Sequence, residues 1–336
     1  MSEFFNLIPP DEARRRILDH VNPLADVERL PTVGAIGRIL AEEVRSPQIL
    51  PEFRRSTVDG YAVRARDTHG ASDTLPAYLK LVGEVPMGRA ASLEVGAGEL
   101  AVVHTGGNVP EGADAVVMIE DTNRTGEDEV EVRKPVAEGE NVIQPGEDIN
   151  RGDLILPAGH RLREQDVGGL MAGGATEVTG SRRPHVGIFA TGDEVIPPGE
   201  QTQPGQVRDI NSYTISALAE QAGALATRGG ILPDDFDTIL ARTREAIDSG
   251  ADMVVLSAGS SVSVRDVTAS VFTRLGEPGV LVHGIATRPG KPTILGIGDG
   301  TPLVGLPGNP VSAFVQFLMV CTPIIYRLQG GETPPA

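Results

Sequence analysis

The chain has 336 residues, 29 basic and 46 acidic side chains, and a formal net charge of −17. That length suffices for two or three cored domains, and that charge argues against a general nucleic-acid or membrane-surface role, because both need basic surface. Glycine and proline, 41 and 26 residues, make up about a fifth of the chain, below the roughly 25–30% that signals disorder, so they read as many tight turns.

The single cysteine, Cys321, excludes an intrachain disulfide and a Cys-rich zinc site. It reads as a small buried hydrophobe. No apolar run is read as a membrane span of about 20 residues. Met1-Ser2-Glu3-Phe4 has neither the basic nor the apolar stretch of an export signal. A cytoplasmic location is therefore expected, with no membrane and no nucleic-acid partner.

In chain order, the first pattern is a helix over 10–21, with acids in its first turn and Asp11 as candidate cap. A second helical pattern covers Val33 to Ala41. From Pro51 the character changes. Phe53-Arg54-Arg55-Ser56-Thr57-Val58-Asp59-Gly60 mixes basic, hydroxyl and acidic residues before the short strand Tyr61-Ala62-Val63. Short strands split by Gly and Pro follow, at 79–82, 100–104, 115–119 and 130–132, which read as a small all-β domain. His104 ends one of these strands, where a structural role is expected. A helix over 164–172 comes next. Helical material on both sides of the β region implies an insertion. The expected domains are a helical or mixed linker domain from 1–48 and 142–181, an inserted β domain at 49–141, an α/β domain at 182–331 and a tail at 332–336.

In the C-terminal half, Val186–Ala190 and Asp252–Ser257 read as buried parallel strands, and 212–222 and 236–249 as helices. This alternation means βαβ units and a parallel sheet, whose ligands sit outside the carboxyl ends of the strands. Three turns fall at that edge. Thr191-Gly192-Asp193-Glu194 is the first, and Ser257 to Asp266 the second. The third is Arg288-Pro289-Gly290-Lys291-Pro292, answered by Pro307-Gly308-Asn309-Pro310. The second presents small and hydroxyl residues near a helix start, suited to an anion or to an ordinary strand–helix turn. It has neither the Gly-Lys-Ser/Thr ending of a Walker loop nor a GxGxxG pattern, so neither ATP hydrolysis nor NAD binding is indicated. Asp193, Glu194, Asp209 and Asp266 at one edge repel one another unless a cation sits among them, and oxygen ligands suit Mg²⁺ with substrate phosphates. Asp209 or Asn211 could equally cap the helix beginning near Ser212. Arg288 and Lys291 supply positive charge on a rigid Pro-Gly frame.

Six stretches now match a family in order: Ser56 to Ala62, Thr105 to Val117, Gly146 to Ile149, Thr191 to Glu194, Arg288 to Pro292, and Leu306 to Ser312. From about residue 8 to about 330 the chain resembles the MoeA family of molybdopterin molybdenumtransferases, also found as the E domain of gephyrin. The resemblance implies a multidomain α/β fold: a MogA-like three-layer domain with a parallel-rich sheet, plus a helical or mixed domain carrying the inserted β domain. It implies insertion of molybdate into adenylylated molybdopterin with release of AMP, using Mg²⁺. It also implies an elongated homodimer whose cleft joins the α/β domain of one subunit to the inserted domain of the other, and a MogA-type adenylyltransferase as a partner. Carried over by motif, Asp59, Thr105, Asp148, Glu194, Asp209 and Asp266 are the expected catalytic residues, with Glu194, Asp209 and Asp266 holding the metal. Gly192, Ser257, Gly259, Ser261, Ser263, Arg288, Lys291, Pro307, Gly308 and Asn309 are expected to bind the pterin nucleotide or molybdate.

Two departures qualify this. The family loop is usually Gly-Gly-x-Ser-x-Gly, whereas here Ala258 and Ser263 replace two of its glycines. Members also normally continue into a small C-terminal β-barrel, which this chain, ending at Ala336, is expected to lack. These departures motivate an alternative, a non-catalytic molybdopterin-binding or scaffold protein of the same fold. A nucleotide-cleaving hydrolase like the CinA family would leave the stretches at 56–62 and 105–117 unexplained.

Overall fold

The two apolar runs at 186–190 and 252–257 form the centre of a six-stranded sheet. His185–Thr191 and Met253–Ala258 pair in parallel, with Val186 opposite Met253. In this computed structural model, residues 7–258 and 262–332 are described, with side chains outside 258–266. The chain divides into two units, one of Met1–Val44, Leu156–Met171 and Thr176–Ala336, the other of Arg45–Ile155 and Ala172–Ala175.

In the first unit the strand order is Leu225–Leu232, His185–Thr191, Met253–Ala258, Thr301–Pro307, Ile294–Gly298, Gly279–His283. The first four are parallel and the last two are added antiparallel. Because side chains alternate along a strand, neighbours serve opposite faces. Val255 packs with Ile17 of helix α1 (Pro10–Leu18), Ile215 of α3 (Asn211–Gln221) and Phe317. Val254 and Leu256 pack with Ile239 of α4 (Phe236–Asp248) and Phe272 of α5 (Val262–Arg274). The result is three layers, helices on both faces of a sheet whose central side chains are 0% exposed. Each such burial contributes about 1.5–3 kcal/mol. Helix α2 (Glu164–Ala172) follows the expectation.

Three expectations are corrected. Asp11 does not cap α1; Pro9 stands at the N-cap, and Asp11 pairs within the first turn with Arg14 at 3.0 Å. The stretch from Val33 to Ala41 is not a helix but a 3₁₀ turn, Thr32–Gly34, followed by bridges from Ile39 to Arg161 and from Leu40 to Gly180. Gly37 at φ +77 breaks the helical path, and pairing buries Ile39 and Leu40 while Val33 and Ile36 stay exposed. Finally, α6 (Pro310–Gln316), a π-turn over Phe317–Cys321 and α7 (Thr322–Leu328) form one 19-residue helix long and apolar enough to span a membrane by length and composition. Most of it is buried against the sheet, as in a core helix. The widening has a local cause: Pro323 has no N–H to give the preceding turn and its ring crowds that turn's carbonyls.

The second unit is a six-stranded mixed sheet in the order Ala115–Met118, Gly60–Val63, Glu99–Val103, Ala77–Glu84, Glu129–Val132, Thr122–Arg124. Here too alternation makes two cores: Tyr61, Val63, Leu100 and Val117 on one face, Ala62, Ala101, Val103 and Val116 on the other. Gly60 has no substitute, because a Cβ there would overlap the Val117 carbonyl of the neighbouring strand.

Candidate functional site

The parallel strands of the first unit end together at Thr191, Ala258 and Pro307. A cavity of about 530 Å³ opens at that edge, lined by Thr191, Glu194, Asp209, Asn211, Ser257, Gly308 and Asn309 among others. It thus gathers two residues from the first expected turn (Thr191 and Glu194), one from the second (Ser257) and three from the motif after the last strand (Gly308, Asn309 and Pro310). Gly192 lets the first turn close: its φ is +143, and a Cβ there would lie 2.6 Å from Glu194 Oε2. Pro307 ends its strand and is buried. Asn309 caps α6, its Oδ1 accepting from Ser312 N at 3.2 Å.

Asn211 is the residue that fastens the cavity floor. It is 9% exposed. Its Nδ2 donates to Ser257 Oγ at 2.8 Å and to the Gly308 carbonyl at 2.9 Å. Asp209, 6% exposed, takes the capping role that its position before α3 allows. Its Oδ1 accepts from Ser212 N at 3.0 Å, and its Oδ2 accepts from Ser212 Oγ. The cap does not remove it from the cavity wall. Arg208 adds a guanidinium, tied by Nε to the Pro198 carbonyl at 2.9 Å and by an Nη to that of Glu200 at 3.1 Å.

Beside Glu194 stands an acid that motif reasoning missed. Asp234 has a pKa raised by burial first and by the neighbouring carboxylates of Asp193 and Glu194 second. Its Oδ1 is buried without a hydrogen-bond partner, while its backbone N donates to Asp193 Oδ1 at 3.3 Å. The signal in the sequence was the acidic pair Asp234-Asp235, separated only by Pro233 from the end of the Leu225–Leu232 strand, at the same sheet edge. Among the described residues, no group of three or more His, Cys, Asp or Glu is arranged to hold a metal alone. Mg²⁺ does not require such a group. It keeps several waters and takes one or two carboxylates together with substrate phosphates. Glu194, with an orphaned carboxylate oxygen at Asp234 nearby, fits that donor set.

Arg288 and Lys291 are exposed on the turn between the Gly279–His283 and Ile294–Gly298 strands. Ile294 lies opposite Gly305, near the carboxyl end of the Thr301–Pro307 strand, so the turn falls at the cavity's edge of the sheet. Neither cation lines the cavity wall. Gly259 and Ser261 lie outside the described residues, as do the side chains of Ser263 and Asp266; both backbones begin α5.

The remaining expected residues lie on the second unit. Thr105 N donates to Asp59 Oδ1 at 2.8 Å, and this bond, first, holds the exposed Asp59 carboxyl below its usual range. His104 braces the pair from the side, with Nε2 2.8 Å from Glu84 Oε1 and Nδ1 3.9 Å from Asp59 Oδ1. Asp148 is 3.5 Å from an Arg55 Nη. Asp59 and Thr105 are therefore in contact, while Asp148 is linked to Arg55 instead.

Comparison with known proteins accords with this arrangement. Residues 8–174 match the MoeA N-terminal region, domains I and II, and residues 187–327 match a probable molybdopterin binding domain. A molybdopterin molybdenumtransferase of Bacillus subtilis is 33% identical over 97% of this chain and 76% of its own length. Molybdopterin molybdenumtransferase 2 of Mycobacterium tuberculosis is 35% identical over 95% of this chain and 81% of its own length. The crystal structure of the MoeA protein of Pyrococcus horikoshii superposes with a TM-score of 0.83 at 34% identity, covering 98% of this chain and 81% of that one. On these matches, the chain belongs to the molybdopterin molybdenumtransferase, or MoeA, family.

Proposed function

We propose that the chain inserts molybdate into adenylylated molybdopterin and releases AMP. The observation that carries this reading is the single cavity holding Glu194, Asp209, Ser257, Gly308 and Asn309 at the carboxyl edge of the sheet. Its size suits a pterin nucleotide, since small-molecule sites run to about 300–1,000 Å³. Ser257 Oγ and Asn309 offer hydrogen bonds to the ligand, and the start of α5 offers backbone N–H groups to its phosphates. Arg288 and Lys291 supply the charge that attracts molybdate or the phosphates. Glu194 with Asp234 would hold Mg²⁺, and Asp209 and Asp266 are its further candidate ligands. The ion would neutralise charge on the phosphate oxygens. Asp59, Thr105 and Asp148 on the β unit complete the proposed catalytic set, and Gly192, Gly259, Ser261, Ser263 and Pro307 the ligand-binding one.

The protein is read as a cytoplasmic homodimer that receives its nucleotide from a MogA-type adenylyltransferase. Its proposed domains are 1–48 with 142–181, 49–141 and 182–331. Sedimentation at micromolar concentration should give a dimer, and a monomer would refute that part. The activity test uses purified chain, adenylylated molybdopterin and Mg²⁺, with and without molybdate. AMP release that depends on molybdate supports the transferase. Release without molybdate would make the chain a hydrolase, and tight binding without release a scaffold, the alternative that Ala258 and Ser263 motivate.

A further inference from the structure

The turn that carries Arg288 and Lys291 rests on buried polar groups whose presence the core does not explain. Gln316 is 0% exposed at the end of α6. Its Nε2 donates to the Pro289 carbonyl at 3.3 Å, while its Oε1 has no hydrogen-bond partner. An orphaned amide oxygen in a core lowers stability, and an apolar side chain of the same length would avoid it. Thr293, also 0% exposed, grips the next carbonyl: its Oγ1 donates to Gly290 O at 2.7 Å. Gly290, at φ +106, lies against Gln316 so closely that a Cβ would overlap the amide. Both carbonyls between the two cations are thus held from beneath.

The same helix is fastened at its other end to the cavity. Asn309 caps it, and the preceding Gly308 carbonyl accepts from Asn211. One short helix therefore joins the cavity floor to the cationic turn, and two exposed cations on a Pro-Gly turn act at fixed positions only if their carbonyls are tied.

We propose that Gln316, assisted by Thr293, is a positioning residue that fixes Arg288 and Lys291 toward the oxyanion of the substrate. This rests on the molybdate-inserting reading above. Neither buried side chain touches substrate; each acts through the turn. Removing the grip loosens the cations, so molybdate binds more weakly while the carboxylates that serve the later steps stay in place.

The test compares the full wild-type chain with Gln316→Met, Thr293→Val, Thr293→Ser and, as a control, Arg288→Ala. Hydrogen exchange of the 288–293 amides in the ligand-free chain should quicken about tenfold in Gln316→Met and Thr293→Val and return toward wild type in Thr293→Ser. The KM for molybdate should rise about tenfold in the first two variants with kcat changed less than about threefold. Exchange that stays within about twofold of wild type in folded Gln316→Met overturns the proposal, whatever the ligand is. So does unfolding of both Gln316→Met and Thr293→Val, which would make these groups core supports. Quickened exchange with an unchanged molybdate KM also overturns it. An Arg288→Ala chain that keeps the wild-type KM, or a wild-type chain indifferent to molybdate, would instead refute the reading on which the proposal rests.

Discussion

Asn211 Nδ2 donates to Ser257 Oγ at 2.8 Å, a bond between side chains 46 residues apart. It joins the first residue of α3 to the end of a central strand, and a second bond from the same nitrogen reaches Gly308. Three segments of the cavity wall are thereby set by one amide. Asn211→Ala should cost about 1–3 kcal/mol, because it leaves the half-buried Gly308 carbonyl and the buried Ser257 hydroxyl without this donor. Nucleotide affinity should fall with it. Thermal melting and calorimetric titration with AMP check both, and normal binding by Asn211→Ala would show that the wall is set by other contacts.

Asp59 and Thr105 form the corresponding pair on the β unit, bonded at 2.8 Å but exposed. Asp59→Asn keeps an acceptor for Thr105 N and removes the charge. Turnover should be abolished with the melting temperature unchanged. An active variant would remove Asp59 from the catalytic set.

Acid sensitivity should be traceable to Asp166. Its carboxylate accepts from the Arg163 guanidinium at 3.1 Å, from Arg163 N at 2.9 Å and from His160 at 2.6 Å. The Arg163 hydrogen bond, foremost, overcomes burial and holds the pKa well below the usual carboxylate range. A depressed folded pKa stabilises the fold fully above the unfolded value, about 3.9, and that contribution is lost as pH falls below it. Asp166→Asn should therefore destabilise by about 1–3 kcal/mol at neutral pH. The deficit should shrink as the pH is lowered from about 4 toward 2. A deficit independent of pH would mean that packing, not charge, sets the effect.

Ser263 takes the place of a family glycine, and its backbone lies in the first turn of α5. A helical path does not need glycine's positive φ. Ser263→Gly should then bind AMP no more than about tenfold tighter than the native chain, a difference of 1.4 kcal/mol. Much tighter binding would show an impaired anion loop and favour the scaffold alternative.

The sequence by itself determined the layered α/β unit, because runs such as 252–257 bury both faces of a central strand and leave few other ways to pack. It also determined where the cavity opens, since strands that run parallel must end together. Glu194, Asp209, Ser257, Gly308 and Asn309 were legible as a group for that reason. Only the tertiary structure decided the rest. The pattern at Val33 to Ala41 reads as helix locally, yet Ile39 and Leu40 are claimed by partners at Arg161 and Gly180, more than 120 residues away. Asp234 has its pKa raised by burial first and then by Asp193 and Glu194, which the pairing of the neighbouring strands brings beside it. Asn211 bonds to two remote segments, and Gln316 holds a turn 27 residues back in the chain. Periodicity reports which face of an element is apolar. It carries no term for which distant backbone carbonyl a buried amide will meet, and that meeting is what shapes the cavity wall and the cationic turn.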